Sequence, residues 1–286
     1  MIPLTFVTLW SSAFITSKII VDNASPFISL SLRFAIVGFI FFIFFLYFSK
    51  KKTITIRAFC NASISGLLFH GFYLGGVFYA LSKGISASLI ALIVSLQPIL
   101  TSILARIYLN EKLTRNQWIG ISLGFCGAFI IILSDLKEGL SLLAFISGLV
   151  GLISSSLGII WQKKIVDELP LSANNFIQAF SASIFYIIIT LCFENYYINF
   201  TDSFFMAMFW QIFAVSLGAF LILMWLLEQN KANETSTLFF LITPISALMA
   251  YFILDEQFSY LDFFGLFVSC IGVFIVTKYQ SKTEKI

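Results

Sequence analysis

Two matching stretches of sequence decide the fold of this chain. Residues 97–127 read QPILTSILARIYLNEKLTRNQWIGISLGFCG, and residues 243–272 read TPISALMAYFILDEQFSYLDFFGLFVSCIG. In each, a proline precedes a glutamate and two glycines, spaced by 13, 9 and 7 residues in the first stretch and by 12, 9 and 7 in the second. The offset of about 145 residues is close to half of the 286-residue chain, so the pattern predicts an internal repeat.

The composition around these stretches is not that of a water-soluble protein. Hydrophobic residues make up 59% of the chain and charged residues only 11%, and the mean hydropathy is +0.99. A soluble domain carries about 25% charged residues. These values exclude an intrinsically disordered chain, a secreted mini-protein and a nucleic-acid binder that uses a basic face. The expected surroundings are therefore a lipid bilayer, with no nucleic-acid partner.

Ten apolar segments are long enough to cross a bilayer, which takes roughly 20 helical residues. A helix satisfies its own backbone polar groups, as the hydrocarbon core requires. The first segment has neither a preceding basic stretch nor a small-residue cleavage site, so we expect it to be retained. We predict an all-α integral membrane protein with ten transmembrane helices, at residues 2–21, 26–48, 57–81, 85–108, 117–133, 140–161, 172–192, 204–227, 234–254 and 260–278.

Each half of the chain then holds five spans, and we place the two repeats at residues 1–135 and 136–286. Because five is odd, the second repeat must lie in the membrane with the opposite orientation to the first. Inverted repeats of this kind are the architecture of many secondary transporters, whose substrate site lies near the bilayer midplane between the halves. The pattern therefore favours a carrier that works by alternating access.

The basic residues predict the orientation of the ten spans. Cytoplasmic loops are enriched in lysine and arginine. With the N-terminus inside, three lysines lie at the outer side: Lys18, Lys83 and Lys137. Thirteen of the seventeen basic residues lie at the cytoplasmic side: Lys50, Lys51, Lys52, Arg57, Arg106, Lys112, Arg115, Lys163, Lys164, Lys231, Lys278, Lys282 and Lys285. We expect a multi-pass protein of the cell (inner) membrane with both termini in the cytoplasm.

Several short motifs are distributed over both halves of the chain: LWSSAF at 9–14 with Lys18 and Arg33, FYAL at 78–81, SLQP at 95–98, LNEKL at 109–113, WQKK at 161–164, Thr243-Pro244 and Asp255-Glu256. In their order and spacing they resemble the EamA-type transporters of the drug/metabolite transporter superfamily. The resemblance implies a ten-helix carrier with cytoplasmic termini that moves small metabolites, often amino acids, and usually outward. The second half departs from the pattern at Gln257, where a basic residue is frequent.

Charged and polar residues inside spans are costly, so by default they face a cavity or another helix. Arg33, about seven residues into the second span, is a candidate for binding a substrate carboxylate. The alternative is an arginine that extends to the interface or pairs with a neighbouring helix. Lys18 lies four residues before Asp22, and this spacing predicts an ion pair within the helix.

The third span carries His70 and Tyr73 one turn apart near its centre, where both are candidates for lining a substrate cavity. A histidine titrates near neutral pH, which would suit proton coupling, but a neutral histidine bonded to a neighbouring hydroxyl is the alternative.

The large amides Gln97 and Gln178 are cavity candidates because they are expensive to bury. Trp10 and Trp161 have small neighbours and are candidates for shaping a pocket, although a tryptophan in a span often faces lipid or another helix.

Two prolines and two glutamates complete the repeated pattern. Pro98 and Pro244 each free a carbonyl one turn earlier, and are candidate helix hinges. Glu111 and Glu256 come shortly before the next predicted helix, and we expect them to cap amide groups there.

Other chemistries are not supported by the sequence. The four cysteines form no CxxC pair, the single histidine excludes HExxH, and there is no GxxxxGK[ST] P-loop. We expect no enzyme activity, no cofactor and no bound metal. The preferred function is export of amino acids or related metabolites by a monomer or homodimer. The alternatives are uptake or exchange of a nucleotide-like metabolite and, in another class, a membrane-embedded lipid-processing enzyme or a non-transporting scaffold.

Overall fold

The computed structural model describes residues 2–48, 53–109, 114–137, 141–165, 168–228 and 232–283. Within these residues the regular structure is helical, apart from one isolated antiparallel bridge between Ala24 and Ile198. The all-α fold class is thereby confirmed for this part of the chain. The helices are α1 (Ile2–Asn23), α2 (Pro26–Phe48), α3 (Ile56–Ser82), α4 (Ala87–Ser95 and Gln97–Leu109), α5 (Arg115–Lys137), α6 (Leu142–Ile165), α7 (Leu171–Phe193), α8 (202–228), α9 (Ala232–Leu254) and α10 (Tyr260–Thr283).

Among the described residues, seven helices, α1 to α4 and α6 to α8, are long and apolar enough to cross a membrane by length and composition. Shorter apolar stretches lie at Leu241–Leu254 and Tyr260–Val276. Large apolar side chains are exposed on the outside of the bundle: Phe39, Phe129, Phe209 and Phe267 are each about 60% exposed. An exterior of this kind is unsuited to water and is suited to lipid.

Two helices are interrupted by π-helical segments. Leu67–Phe72 lies in the middle of α3, and Gln211–Ala219 lies in the middle of α8. Segments of this kind are rare and frequent at functional sites, because the wider turn releases backbone carbonyls and re-aims side chains. The two segments start 144 residues apart, close to the repeat offset found in the sequence.

Helices α5 and α10 pack against each other through the glycines of the repeat. A Cβ on Gly120 would lie 2.8 Å from the Gly272 carbonyl oxygen, and a Cβ on Gly127 would lie 2.5 Å from the Gly265 carbonyl oxygen. The first glycine of one copy thus meets the second glycine of the other copy, so the two helices run antiparallel. Small residues allow backbones to approach this closely within a membrane.

The loop between α1 and α2 is bonded to the loop between α7 and α8. The Ser25 N–H donates to the Tyr197 carbonyl at 3.0 Å, and the Asn199 N–H donates to the Asn23 carbonyl at 2.8 Å. The Thr201 hydroxyl donates to the Asn23 side-chain oxygen at 2.8 Å. Residues 23–25 and 197–201, called here the loop seam, therefore join the first half of the chain to the second.

Two glutamates of the second half cap helices of the first half. The Glu194 carboxylate accepts hydrogen bonds from the backbone N–H groups of Phe27 and Ile28, at 3.1 and 3.0 Å, at the start of α2. The Glu256 carboxylate accepts from the N–H groups of Ala87 and Ser88, at 2.6 and 3.2 Å, at the start of α4. A carboxylate there satisfies amides that lack a helical partner and complements the helix dipole.

The capping prediction for Glu256 identified the right role but the wrong helix. The start of α10 is capped locally, because the Ser259 N–H donates to Asp262 Oδ2 at 2.8 Å and the Asp262 N–H donates to Ser259 Oγ at 3.2 Å. This capping box leaves Glu256 free to reach α4. Glu111 lies outside the described residues.

Candidate functional site

A small cavity lies between the two halves of the chain. Its walls come from α1, α2 and α3 of the first half and from α8 of the second half, and its volume is about 40 Å³. A volume of this size holds only a few water molecules. The lining combines aromatic and polar side chains, the main ones being Trp10, Phe14, Ser17, Arg33, Phe69, His70, Tyr73, Gln211, Ser216 and Phe220.

Arg33 supplies the positive charge of this cavity. Its side chain is buried on α2, its Nε donates to the Ser216 hydroxyl at 2.9 Å, and its guanidinium lies 5.2 Å from the centre of the Phe34 ring. The single ion pair found in the described residues joins Lys18 to Asp22 at 2.5 Å, so no described carboxylate lies within 4.0 Å of Arg33. A buried cation without a counter-ion is costly. Arg33 is therefore suited to an anionic ligand.

The pair of Lys18 and Asp22 on α1 confirms the prediction of an ion pair within that helix.

His70 lies in the π-helical segment of α3 and is enclosed by aromatic rings. Ring centroids of Phe34 and Phe220 lie 4.9 Å from that of His70, and the centroid of Phe69 lies 5.6 Å away. The Tyr186 hydroxyl of α7 lies 2.6 Å from the backbone carbonyls of both His70 and Gly71, and its single O–H is shared between them. Tyr186 therefore satisfies backbone oxygens within the π-helical segment, and it holds the backbone of His70 in place.

Trp10 and Tyr73 form the aromatic side of the same cavity. Trp10 packs on Phe6 and Phe69 with ring centroids 5.3 and 6.4 Å apart, and Tyr73 packs on Phe69 at 5.4 Å. Both side chains are buried. Together with Arg33 and His70 they make four of the seven predicted substrate-binding residues that the structure brings into one cavity.

The other three predicted binding residues lie elsewhere. Gln178 is buried on α7, where its Nε2 donates to Gln162 Oε1 and to Asn174 Oδ1, both at 3.0 Å. Trp161 donates from its indole N–H to the Asn61 carbonyl at 3.1 Å. Gln97 is buried in α4 and does not line the cavity. Their roles stay predictions.

The two candidate hinge prolines differ in their surroundings. Helix α4 is interrupted at Leu96, and Pro98 is the second residue of the segment that follows, a position that proline tolerates. Helix α9 continues through Pro244. The interruption therefore lies beside one proline and not beside the other.

Gln211 is a cavity residue that the sequence analysis did not select. It begins the π-helical segment of α8, its side chain is fully buried, and its Oε1 has no hydrogen-bond partner within the described part of the chain. Burying the amide of Gln211 within a span is as costly as burying those of Gln97 and Gln178, so the same signal is present in its sequence position. Ser216, the partner of Arg33, lies on the same segment, and no feature of the sequence around it indicates a role in the cavity.

A larger cavity, of about 660 Å³, lies where α4 and α10 begin. Its lining carries charge of both signs, from Lys83, Glu256 and Asp262. No cluster of three or more metal-ligating side chains occurs among the residues that the structure describes.

Apolar helices around a small polar cavity with a buried guanidinium are the features of a multi-pass membrane protein that handles a small solute. Comparison with protein families gives a narrower assignment. The chain belongs to the EamA-like transporter family, whose model matches residues 2–133 and again residues 142–278. The relatives with assigned functions are described as transporters and efflux pumps, not as enzymes.

Several relatives are similar along most of their length, and two of them illustrate the range of descriptions. A probable amino-acid metabolite efflux pump of Escherichia coli (strain K12) is 24% identical over an alignment of 295 positions, gaps included, that covers 96% of this chain and 93% of the relative. An uncharacterized transporter of Buchnera aphidicola subsp. Schlechtendalia chinensis is 22% identical over 274 residues, which cover 94% of this chain and 88% of the relative. Both are distant relatives.

A solved crystal structure shares the fold. It superposes with a TM-score of 0.69 at 16% sequence identity, over 99% of this chain and 97% of the other chain.

Proposed function

We propose that this protein is a secondary transporter that exports amino acids or related metabolites across the cell (inner) membrane by alternating access. The observation that carries the proposal is the buried guanidinium of Arg33, in a cavity between the two halves and without a described carboxylate within 4.0 Å. A substrate carboxylate would supply the missing counter-charge through charge-assisted hydrogen bonds. The efflux-pump description of the Escherichia coli relative supports this class of substrate.

The proposal includes two inverted five-helix repeats, residues 1–135 and 136–286. Three observations support them. The family model matches the chain twice, in succession. The two π-helical segments occupy corresponding positions in the third helix of each half. The antiparallel contact between α5 and α10 joins first glycine to second glycine in both directions, as a two-fold axis in the membrane plane requires.

Because the cavity is small, the proposed transport cycle requires the two halves of the chain to move relative to each other. A space of about 40 Å³ is too small for an amino acid, so the substrate enters only when the halves move apart. The loop seam and the Glu194 and Glu256 caps join the halves on one side of the bundle. With both termini in the cytoplasm, that side is the outer side. This orientation rests on the 13 to 3 distribution of basic residues.

The test is transport by purified protein in liposomes. We expect Arg33→Gln to reduce uptake of labelled amino acids roughly 10- to 100-fold, because hydrogen bonds to a charged group contribute about 1.5–3 kcal/mol. Lys18→Gln is the matched control: it removes a cation from α1 that is already paired with Asp22 at the helix surface, and it should leave the rate unchanged.

Two results would contradict the proposal. The first is a folded wild-type protein that moves no amino acid or related metabolite under any imposed gradient. The second is an Arg33→Gln variant whose transport rate and apparent affinity equal those of the wild type. That result would show that Arg33 does not bind the substrate, although the protein would still be a transporter.

A further inference from the structure

We infer that the cavity selects α-amino acids over otherwise identical compounds without an amino group, with Arg33 binding the carboxylate and Gln211 Oε1 binding the ammonium group. This inference rests on the proposed transport function and adds the substrate class. It depends on three features of Gln211: the orientation of its amide, the unused hydrogen-bonding capacity of its oxygen, and its position on the same wall as the partner of Arg33.

The orientation of the Gln211 amide is determined by α1. Its Nε2 donates to the Ala13 carbonyl, to Thr16 Oγ1 and to Ser17 Oγ, at 2.8, 2.8 and 2.9 Å.

Both hydroxyls are already committed as donors, Thr16 to the Ser12 carbonyl at 2.9 Å and Ser17 to the Ala13 carbonyl at 2.6 Å. All three partners of the amide are therefore acceptors. A flipped amide would set Oε1 against the Ala13 carbonyl oxygen, so the nitrogen must face α1.

The oxygen of the same amide is not hydrogen-bonded to α1 and can still accept hydrogen bonds. Gln211 is fully buried, and Oε1 has no hydrogen-bond partner among the described residues. Buried polar atoms in native proteins are nearly always paired, and an exception calls for an explanation. A ligand donor in the cavity that Gln211 lines provides one.

The π-helical geometry aligns this acceptor with Arg33. Gln211, Val215 and Ser216 all line the cavity, because residues four and five apart share one face of a π-helix. Ser216 contacts Arg33 Nε at 2.9 Å. Gln211 and Ser216, the partner of Arg33, thus lie about one helical turn apart on the same cavity wall, an arrangement that suits one small zwitterion.

The chemistry of the two groups distinguishes an ammonium from its substitutes. An ammonium group carries only donors, which suit Oε1, and its positive charge is tolerable beside Arg33 because the carboxylate lies between them. The keto oxygen of a 2-oxo acid would oppose Oε1 as acceptor against acceptor. The hydroxyl of a 2-hydroxy acid can donate one hydrogen bond to Oε1 but, unlike an ammonium group, carries no positive charge. The expected order of transport is amino acid, then hydroxy acid, then oxo acid.

The experiment compares three matched series in proteoliposomes: L-alanine, L-leucine and L-phenylalanine, each with its 2-hydroxy and 2-oxo acid. For the wild type we expect each amino acid to be transported at least 10-fold faster than its oxo acid, at subsaturating concentration. Sites built to hydrogen-bond a substrate group discriminate strongly against analogues that lack it. Gln211→Met should reduce this ratio to about 1, whatever its effect on the overall rate.

Asn175→Leu is the matched control. Asn175 is a buried amide of α7 whose Oδ1 also lacks a described partner, but it does not line the cavity. It should keep the wild-type ratio. A merely structural loss would lower all rates together without changing the ratio.

The outcomes distinguish failure of the amino-acid selectivity inference from failure of the proposed transport function. Equal transport of amino acid and oxo acid by the wild type overturns the inference and leaves the proposed function intact, and it does so even if Gln211→Met fails to fold. A Gln211→Met variant that keeps the wild-type ratio also overturns the inference. If no compound in any series moves while the wild type remains folded, the transport proposal fails, and the inference fails with it.

Discussion

Tyr186 shows how one hydroxyl can hold an irregular helix. Its oxygen lies 2.6 Å from the carbonyls of His70 and Gly71, inside the π-helical segment of α3, and its side chain is fully buried. Both carbonyls lie in the interior of the bundle, where no bulk water can replace this donor. The position of His70 in the cavity wall therefore depends on a residue from α7.

We expect Tyr186→Phe to lower the free energy of unfolding by about 1–3 kcal/mol, the cost of leaving buried polar groups unsatisfied. Thermal unfolding in detergent micelles measures the change. Tyr47→Phe removes the same hydroxyl from a side chain that is 82% exposed, and it should have no effect. Equal midpoints for the two variants would show that the Tyr186 hydrogen bond contributes nothing to stability.

At the residue scale, the sequence predicts the charged part of the site better than its neutral part. Arg33 could be selected because an arginine inside a span is rare and costly. Gln211 carries a weaker signal, and the feature that makes it interesting, an oxygen without a partner, depends on hydroxyls of α1 that are remote in sequence. Gln97 and Gln178 show the converse, since burial alone does not bring an amide to the cavity.

Among the helices, α5 and α10 approach each other so closely that their contact provides a sharp test of the packing. A Cβ on Gly272 would lie 2.2 Å from the Gly124 backbone nitrogen and 2.6 Å from the Gly120 carbonyl oxygen. Backbone atoms cannot move aside as the end of a flexible side chain can. The two helices would have to separate to accommodate even one methyl group.

Gly272→Ala should therefore destabilise the protein by about 1–3 kcal/mol, the usual cost of overpacking. Gly38→Ala, on α2, is the control, because its nearest neighbour would be the Phe180 nitrogen at an ordinary 3.4 Å. Alanine there should be neutral or stabilising by up to about 1 kcal/mol, through its higher helix propensity. Thermal unfolding of both variants in the same micelles checks the difference, and the opposite ranking would refute the close contact.

The positions of the helices could be predicted from sequence, whereas their irregularities could not. Each predicted span overlaps one helix, because hydrophobic length and the flanking charges determine where a span can lie. The π-helical segments cannot be recognised from their residues, because Leu67–Phe72 and Gln211–Ala219 share no sequence motif. Their stability depends on partners from other helices, such as the Tyr186 hydroxyl, that are absent from the local sequence.

For the whole molecule, the loop seam determines whether the two halves can separate on that side. Ala24 and Ile198 form an antiparallel bridge there, and their neighbours exchange backbone hydrogen bonds. Paired residues of an antiparallel bridge have Cα atoms about 4.5–5.5 Å apart, within the range that a disulfide spans. The seam can therefore be locked covalently without distorting it.

In a variant lacking Cys60, Cys126, Cys192 and Cys270, we expect the pair Ala24→Cys and Ile198→Cys to cross-link on oxidation. Cross-linking should reduce transport in liposomes at least 10-fold, and reduction should restore it, because the proposed alternating-access cycle requires the seam to open. The single variant Ala24→Cys, treated with the same oxidant, should transport normally. Full transport by the cross-linked protein would mean that the seam stays closed throughout the cycle.

The antiparallel contact between α5 and α10 has a consequence for how the chain is made. Gly127 and Gly272, which belong to the two sides of this contact, are 145 residues apart, so α10 is synthesised well after α5. At synthesis rates of about 5–20 residues per second, roughly 7–30 s pass between their translation. During that interval the glycine face of α5 has no final partner, so the first half must wait in the membrane, under the protection of lipid or the insertion machinery, until α10 has been synthesised.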